Sequence, residues 1–286
     1  MRRLLAMNVS AFIPKSAWLP LTPQGVAAFA AATLNRLLLV QFIFALVGAG
    51  TVGWFLSTTW APEIREAIDA LPANSRISRG TLQWTGKEPA LIAEGRFLGF
   101  GVDMDHTGTV NASSHVLVEF GRNDWRISSV FGLLHLPWLL DTTYPRNYSM
   151  ALNRTELAPW WGAREPFLIA SAMGLTVLFL MLSWAALATL YSVPVWLVAF
   201  FGNRGADWKG CWRLAGASLM PGALFMSASI LFYGLGAFDL LRLGLAFAMH
   251  FVIGWFYLFL SAAVLPRSSE EAPAGGNPFA PHRGEE

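Results

Sequence analysis

In "FGVDMDHTGTV" (100–110) two aspartates one residue apart, Asp103 and Asp105, close an apolar run. Two carboxylates at that spacing suit two chemistries. One attacks as a nucleophile while the other serves as acid and base, or both ligate a hard cation. The string matches the start of a calcium loop, D-x-D-x-[DN]-G. It departs at position five, Thr107, and at position twelve, where the bidentate acid is replaced by Ser114. The alternative is a strand that ends in a polar turn closed by Gly108, and that is the reading the residues favour. Further candidates lie in the apolar part of the chain. His250 is an ionisable residue inside a long apolar run, which is a functional hypothesis by default. Its neutral form can instead pair with Ser227 or Ser229. Asp239 and Arg242, three apart, are expected to form an interfacial ion pair, with Arg242 reaching toward the polar layer.

The apolar strand followed by Asp-x-Asp-x-Thr also resembles the nucleophile loop of haloacid-dehalogenase-type phosphatases. The resemblance implies Asp103 as nucleophile and Asp105 as acid/base, together with a lysine, further acids for Mg²⁺ and a large α/β core. About 100 β-rich residues between apolar runs do not supply that core, so no metal and no cofactor is expected.

The elements that must position these residues follow from composition. Hydrophobic residues make up 55% of the 286-residue chain and charged ones 13%, about half the charge of a soluble domain. That points to an integral membrane protein with the lipid bilayer as its first partner. The net charge of +2 and the absence of a basic, aromatic-laced patch exclude nucleic acid. One cysteine, Cys211, excludes a disulfide framework and a Cys-based metal site. "MRRLLAMNVSAFIPKSAW" is basic at its start, but its apolar run is broken and no cleaved signal peptide is expected.

About 20 apolar residues cross a bilayer as a helix. Span one is expected over 37–58. Residues 59–166 carry 12 acids and 10 bases and must lie outside the membrane. Residues 167–201 hold no charge, and 35 residues allow one extended span or two tight ones. The choice follows from the cations. Arg2, Arg3, Lys15 and Arg36 before span one place the N-terminus in the cytoplasm. One span in the run puts Arg204, Lys209 and Arg213 there too. The expectation is four α-helical spans, at 37–58, 167–190, 214–235 and 243–265, with both termini cytoplasmic. Span two is expected to bend near Pro194, and "GNRGADWKGCWR" (202–213) to be a cytoplasmic hinge. Within the cytoplasmic segment 1–36, residues 24–36 are expected to form an interfacial helix with Val26, Phe29, Ala30 and Leu34 on one face. Residues 266–286, with the adaptor-like "NPF" at 277–279, are expected to form a disordered cytoplasmic tail.

Between spans one and two, residues 61–71 read as a short amphipathic helix. Alternating runs at 80–84, 89–95, 96–104, 115–120 and 125–131 then predict a small antiparallel β-rich extracytoplasmic domain. The apolar stretch "LLHLPWLL" (133–140) leads back toward the membrane. Asn111, Asn147 and Asn153 are glycosylation sequons that matter only in a eukaryotic secretory pathway. Ala45, Ala49 and Gly53 in span one, and Ser218 and Gly222 later, are small residues four apart that allow close helix contact, within the chain or in a homo-oligomer. No polar stripe runs along the spans, which speaks against a channel.

"RISRGTLQWTGKEPALI" (76–92) and "AFFGNRGADWKGCWRLAGASLMPGALF" (199–225) resemble uncharacterised bacterial multispan proteins related to the Yip membrane-trafficking family. The resemblance is loose and covers about 230 residues. It implies a bacterial inner-membrane protein and assigns no catalytic residue, and the chain has fewer spans than the five usual there. The expected function is non-enzymatic: an accessory, scaffold or sensor whose outer domain binds an envelope or membrane-protein partner or a ligand. The alternatives are a small-solute transporter subunit, with His250, Asp239 and Arg242 lining a path, and a membrane-bound hydrolase using Asp103 and Asp105.

Overall fold

The computed structural model describes residues 20–108, 110, 113–129, 140–147 and 149–267. Arg2, Arg3 and Lys15, the sequon at Asn111, the end of the 125–131 run, most of the apolar stretch 133–140 and the tail with its "NPF" lie outside them. Four helical stretches are long and apolar enough to cross a membrane: Leu34–Asp69, Arg154–Phe201, Trp208–Gly234 and Leu240–Ala263. The described residues fall into two compact units. One lies within Met1–Ala45, Phe179–Met226 and Phe247–Glu286, the other within Leu46–Leu178 and Ser227–Ala246.

In the first unit, α1 (Pro23–Ala27) starts where the Thr22 side chain accepts from the amide of Gly25 and Pro23 supplies a preset φ. A 3₁₀ turn, Ala28–Ala31, follows, and α2 (Leu34–Phe55) begins after a break at Thr33. The interfacial helix expected over 24–36 is therefore two short turns. Val26 and Phe29 are buried, but Leu34 belongs to α2 and is exposed. The reason is polar. Arg213 donates to the carbonyls of Phe29 (3.4 Å) and Ala30 (2.6 Å), closing the turn at its last acceptors.

The stretch 202–213 also differs from the expected loop. Asp207 caps α5 (Trp208–Ser218) by accepting from the Gly210 amide at 2.7 Å, so Lys209 and Arg213 sit in helical turns. Pro221, which has no amide hydrogen, follows the break at Leu219, and α6 spans Met220–Gly234. Cys211 is fully buried, with Leu37, Leu214 and Leu258 in the same apolar core. A thiol reagent is expected to leave Cys211 unmodified in the folded protein from either side of a bilayer, and to react after denaturation. Mass spectrometry of labelled protein checks this.

The uncharged run is one helix. α4 (Arg154–Phe201) spans 48 residues without interruption, through Pro159, Pro166 and Pro194. Pro194 therefore does not end the helix. α7 covers Leu240–Ala263. Within the first unit, Gln41 of α2 donates to the Gly216 carbonyl of α5 (3.2 Å), which gives the buried amide of this apolar helix a partner. Gly222 lies against α7: a Cβ there would stand 2.5 Å from the His250 carbonyl oxygen.

In the second unit, α2 runs through a π-helical turn, Leu56–Trp60, into α3 (Ala61–Asp69). Ser57, Thr58 and Thr59 donate to carbonyls one turn back, and Pro62 supplies no donor, so the tight α ladder is locally loosened. Two ion pairs tie α3 to the start of α4: Arg65–Glu165, bidentate at 2.7 and 3.0 Å, and Arg154–Asp69 at 3.0 Å. Gly53 packs on Met173, and Ala45 and Ala49 are buried.

All five expected strand runs form strands: β2 (Thr81–Gln83), β3 (Ala90–Glu94), β4 (Leu98–Val102), β5 (Val116–Phe120) and β6 (Asp124–Ser129). Three short ones were not anticipated: β1 (Arg76–Ser78), β7 (Leu140–Thr143) and β8 (Ser149–Ala151). β1 and β2 form a hairpin across Arg79 and Gly80, both at positive φ (54° and 77°), as a two-residue primed turn requires. One sheet has the order β2-β1-β8, the other β3-β4-β5-β6-β7. The second corrects the expected antiparallel sheet, because β4 and β5 run parallel, Leu98 opposite Val116 through Val102 opposite Phe120. A parallel pair needs a crossover of about a dozen residues, which 103–115 provides. α3 packs on β3 and β4.

Candidate functional site

Parallel pairing brings the C-terminal ends of β4 and β5 to the same side. The loop after β4 and the turn after β5 therefore meet. That loop is the 103–108 string. Asp103 is 2% exposed. Its carboxylate accepts from the Thr107 hydroxyl (2.8 Å) and the Gly108 amide (3.1 Å), and its own amide donates to Phe120 (3.1 Å). Burial alone would raise its pKa. The donors from Thr107, Gly108 and Asp105 outweigh burial and hold it below the usual carboxylate range. Asp103 is an ionised acceptor that shapes its own loop. Asp105 points elsewhere, to Arg122 at 3.1 Å on the surface. The two carboxylates thus serve different partners. Among the described residues, no group of three or more His, Cys, Asp or Glu side chains is arranged to hold a metal ion.

The residue that gathers charge is the next one, His106, which the sequence reading passed over. Its backbone takes a positive φ of 51°. Its Nε2 lies 2.8 Å from Asp124 Oδ1 of β6, and its Nδ1 hydrogen-bonds to Glu119 Oε1 of β5. The side chains are 13% exposed for His106, 7% for Glu119 and 19% for Asp124. Arg126 lies 3.5 Å from Asp124 and 3.1 Å from Asp141 of β7, so charge alternates across three strands. A Cβ on Gly121 would stand 2.2 Å from His106 Nε2, so only glycine leaves room for the ring. Tyr144 closes the turn by donating to the Gly121 carbonyl at 3.1 Å.

An imidazole with a carboxylate oxygen on each nitrogen must carry both protons to bond both. Burial pulls the His106 pKa down. The Asp124 and Glu119 hydrogen bonds more than offset it, and the net shift is upward. The sequence did carry a signal. Glu119 interrupts "VLVEF", an otherwise apolar strand with neighbours on both edges, and a carboxylate buried there requires a cationic partner.

At the other end of the crossover, His115 Nδ1 lies 2.5 Å from the Tyr233 hydroxyl of α6. The two rings stack at 5.5 Å, with Phe97 edge-on to both. Arg96, just before β4, donates to the carbonyls of Gly236 (3.0 Å) and Phe238 (2.9 Å) beyond the end of α6. That is favourable placement for a cation. Burial and then the Arg96 charge lower the His115 pKa, and Asp239 offsets them only in part. The Tyr233 hydroxyl, which can both donate and accept, serves as partner to this nitrogen in either tautomer of the ring.

Asp239 and Arg242 form the expected pair. Asp239 accepts from the Arg242 amide (2.7 Å) and so caps α7, and the side chains approach to 3.7 Å. Arg242 also donates to the Ala237 carbonyl at 3.3 Å. His250 belongs to the other unit. Its Nδ1 bonds to the Phe247 carbonyl of its own helix, and the Phe247 and Phe251 rings flank it.

Compared with family models, curated proteins and solved structures, the chain matches none.

Proposed function

We propose that the chain is a non-enzymatic polytopic membrane protein of the bacterial inner membrane, with both termini cytoplasmic and the β unit on the outer side, where it acts as a sensor or scaffold. The membrane part is supported by α4. Only 6% of its most apolar stretch is buried within the chain, and Phe167 and Phe179 are 73% and 71% exposed. Lipid is the natural solvent for such a surface. The functional part rests on one observation: His106, Glu119 and Asp124 form a largely buried charge cluster in the β unit. The ionisable candidates on the apolar helices instead close helix ends and local backbone. Asp239 and Arg242 work as a cap, and His250 bonds within its own turn. A solute path or a nucleophile finds no comparable support. The Yip-like resemblance adds no residue to this reading.

The test is orientation. In a Cys211→Ala background, Lys87→Cys on the β unit and Lys209→Cys in α5 both present exposed positions. A membrane-impermeant thiol reagent is expected to label the first in intact spheroplasts and the second only after lysis. The reverse pattern overturns the orientation.

A further inference from the structure

In the first unit the cations stand at helix ends: Arg36 at the start of α2, Arg204 past the end of α4, Lys209 and Arg213 in the first turns of α5, and Arg267 past the end of α7. Hydrogen bonds hold several of these ends together. Asn203, at a positive φ of 50°, closes α4, and the Arg204 amide donates back to Ala199 at 2.8 Å. Arg204 then pairs with Arg267 across an antiparallel bridge. Its guanidinium donates to the Leu265 carbonyl at 2.7 Å, and the Gly205 amide donates to Pro266 at 2.9 Å. Arg213 ties α5 to the turn before α2 through Phe29 and Ala30.

Negative charge is scarce here. Among the described residues of this unit the one acid is Asp207, which lies 4.0 Å from Arg213. Arg204, Lys209 and Arg267 form no ion pair among the described residues. Helix dipoles do not make up the difference. Each helix end carries about half a charge, and the C-terminal ends of α4 and α7 are offset by the N-terminal ends of α2 and α5. Five cations less one acid leave an excess of four. Two arginines on directly paired residues repel one another, and an anion beside them relieves that repulsion.

The neighbouring surface indicates which anion. The exposed apolar face of α4 runs up to the cations: Trp196 stacks on Phe200, and Phe201 is 81% exposed. Trp208 is 50% exposed beside Lys209. A soluble phosphate has no use for such a surface. A phospholipid covers it with its chains and brings its phosphate level with the cations.

We infer that the corner formed by Arg204, Lys209 and Arg267 binds the headgroup of an anionic phospholipid. The inference rests on the reading that α4 and α7 cross a bilayer, and it holds whichever side the corner faces.

The experiment compares phosphatidylglycerol with phosphatidylcholine of the same acyl chains, each added to the full chain in micelles of an uncharged detergent. Native mass spectrometry counts the lipid retained. The wild type is expected to prefer phosphatidylglycerol, less so as salt is raised. Lys209→Gln with Arg267→Gln alters two exposed side chains and leaves Arg204 to close the helix ends. It should lower phosphatidylglycerol retention about fivefold for each cation removed and leave phosphatidylcholine unchanged. Lys87→Gln with Arg146→Gln removes the same charge from exposed positions of the β unit and should change neither. Equal retention of the two lipids by the wild type overturns the inference, whatever the variants do. Equal losses in the two double variants overturn it too, because net charge and not this corner would then be read. Protection from thermal unfolding by inorganic phosphate as large as that by phosphatidylglycerol makes the ligand a soluble anion and also overturns it. The other readings fail separately. A chain that stays monodisperse without detergent removes the bilayer reading, whatever lipid it retains. Lipid preference with Lys209→Cys labelled from outside keeps the site and moves it to the outer leaflet.

Discussion

Glu119→Ala is expected to destabilise the β unit by about 3–5 kcal/mol near pH 6, the usual cost of removing one partner from a buried ion pair. His106 would keep one carboxylate and lose the other. The loss has a pH signature. As pH rises through the raised His106 value, the wild-type ring deprotonates and its own clamp weakens, so the gap between variant and wild type should narrow. Replacing both residues, with His106→Phe and Glu119→Leu, removes the charge instead of stranding it. That double variant should be less damaged than the sum of the single ones. Denaturant unfolding of the detergent-solubilised chain at pH 6 and pH 9, followed by tryptophan fluorescence, measures all of these. A loss that does not depend on pH would mean that Glu119 acts by packing and not by charge.

Gly222→Val is the second large effect. The new Cβ would meet the His250 carbonyl oxygen at 2.5 Å and its carbon at 3.4 Å. Both belong to helix backbone, which cannot turn aside as a side chain can, so α6 and α7 must separate. Overpacking of this kind costs about 1–3 kcal/mol and sometimes more. Gly244→Val in α7 is the matched control. A Cβ there meets nothing within 4 Å, so the change should register only the small helix-propensity difference. Thermal unfolding read by size-exclusion profile should separate the two variants by several degrees, and equal midpoints would mean that the helices part without cost.

Much of this architecture is legible in the residues, for identifiable reasons. Long uncharged runs and period-two alternation are strong signals, and they located the four apolar helices and five of the strands. The parallel β4–β5 pair was not legible, because alternation fixes which residues form strands but not which strand lies beside which. The start of α5 was missed because Lys209 and Arg213 look like loop residues until Asp207 is recognised as a cap and the Phe29 and Ala30 carbonyls as the acceptors for Arg213. β1, β7 and β8 are three or four residues long, too short for a pattern to stand out. In the site, Asp103 and Asp105 attracted notice by spacing alone. The charge cluster was assembled from positions 106, 119 and 124, which only the sheet brings together.

The pairing of β1 with β8 sets a condition on synthesis. Arg76 stands opposite Ala151, so this contact closes a loop of roughly 75 residues, an entropic step that cannot be taken piecemeal. While the chain emerges in order, β1 has only β2 beside it until residues 149–151 arrive, three positions before α4 begins. A ribosome stalled before that point would hold the small sheet with one edge open. Native pairing of β1 thus comes at the end of the unit's synthesis, and truncations that stop short of Ala151 should be recognised by quality-control proteases as unfinished.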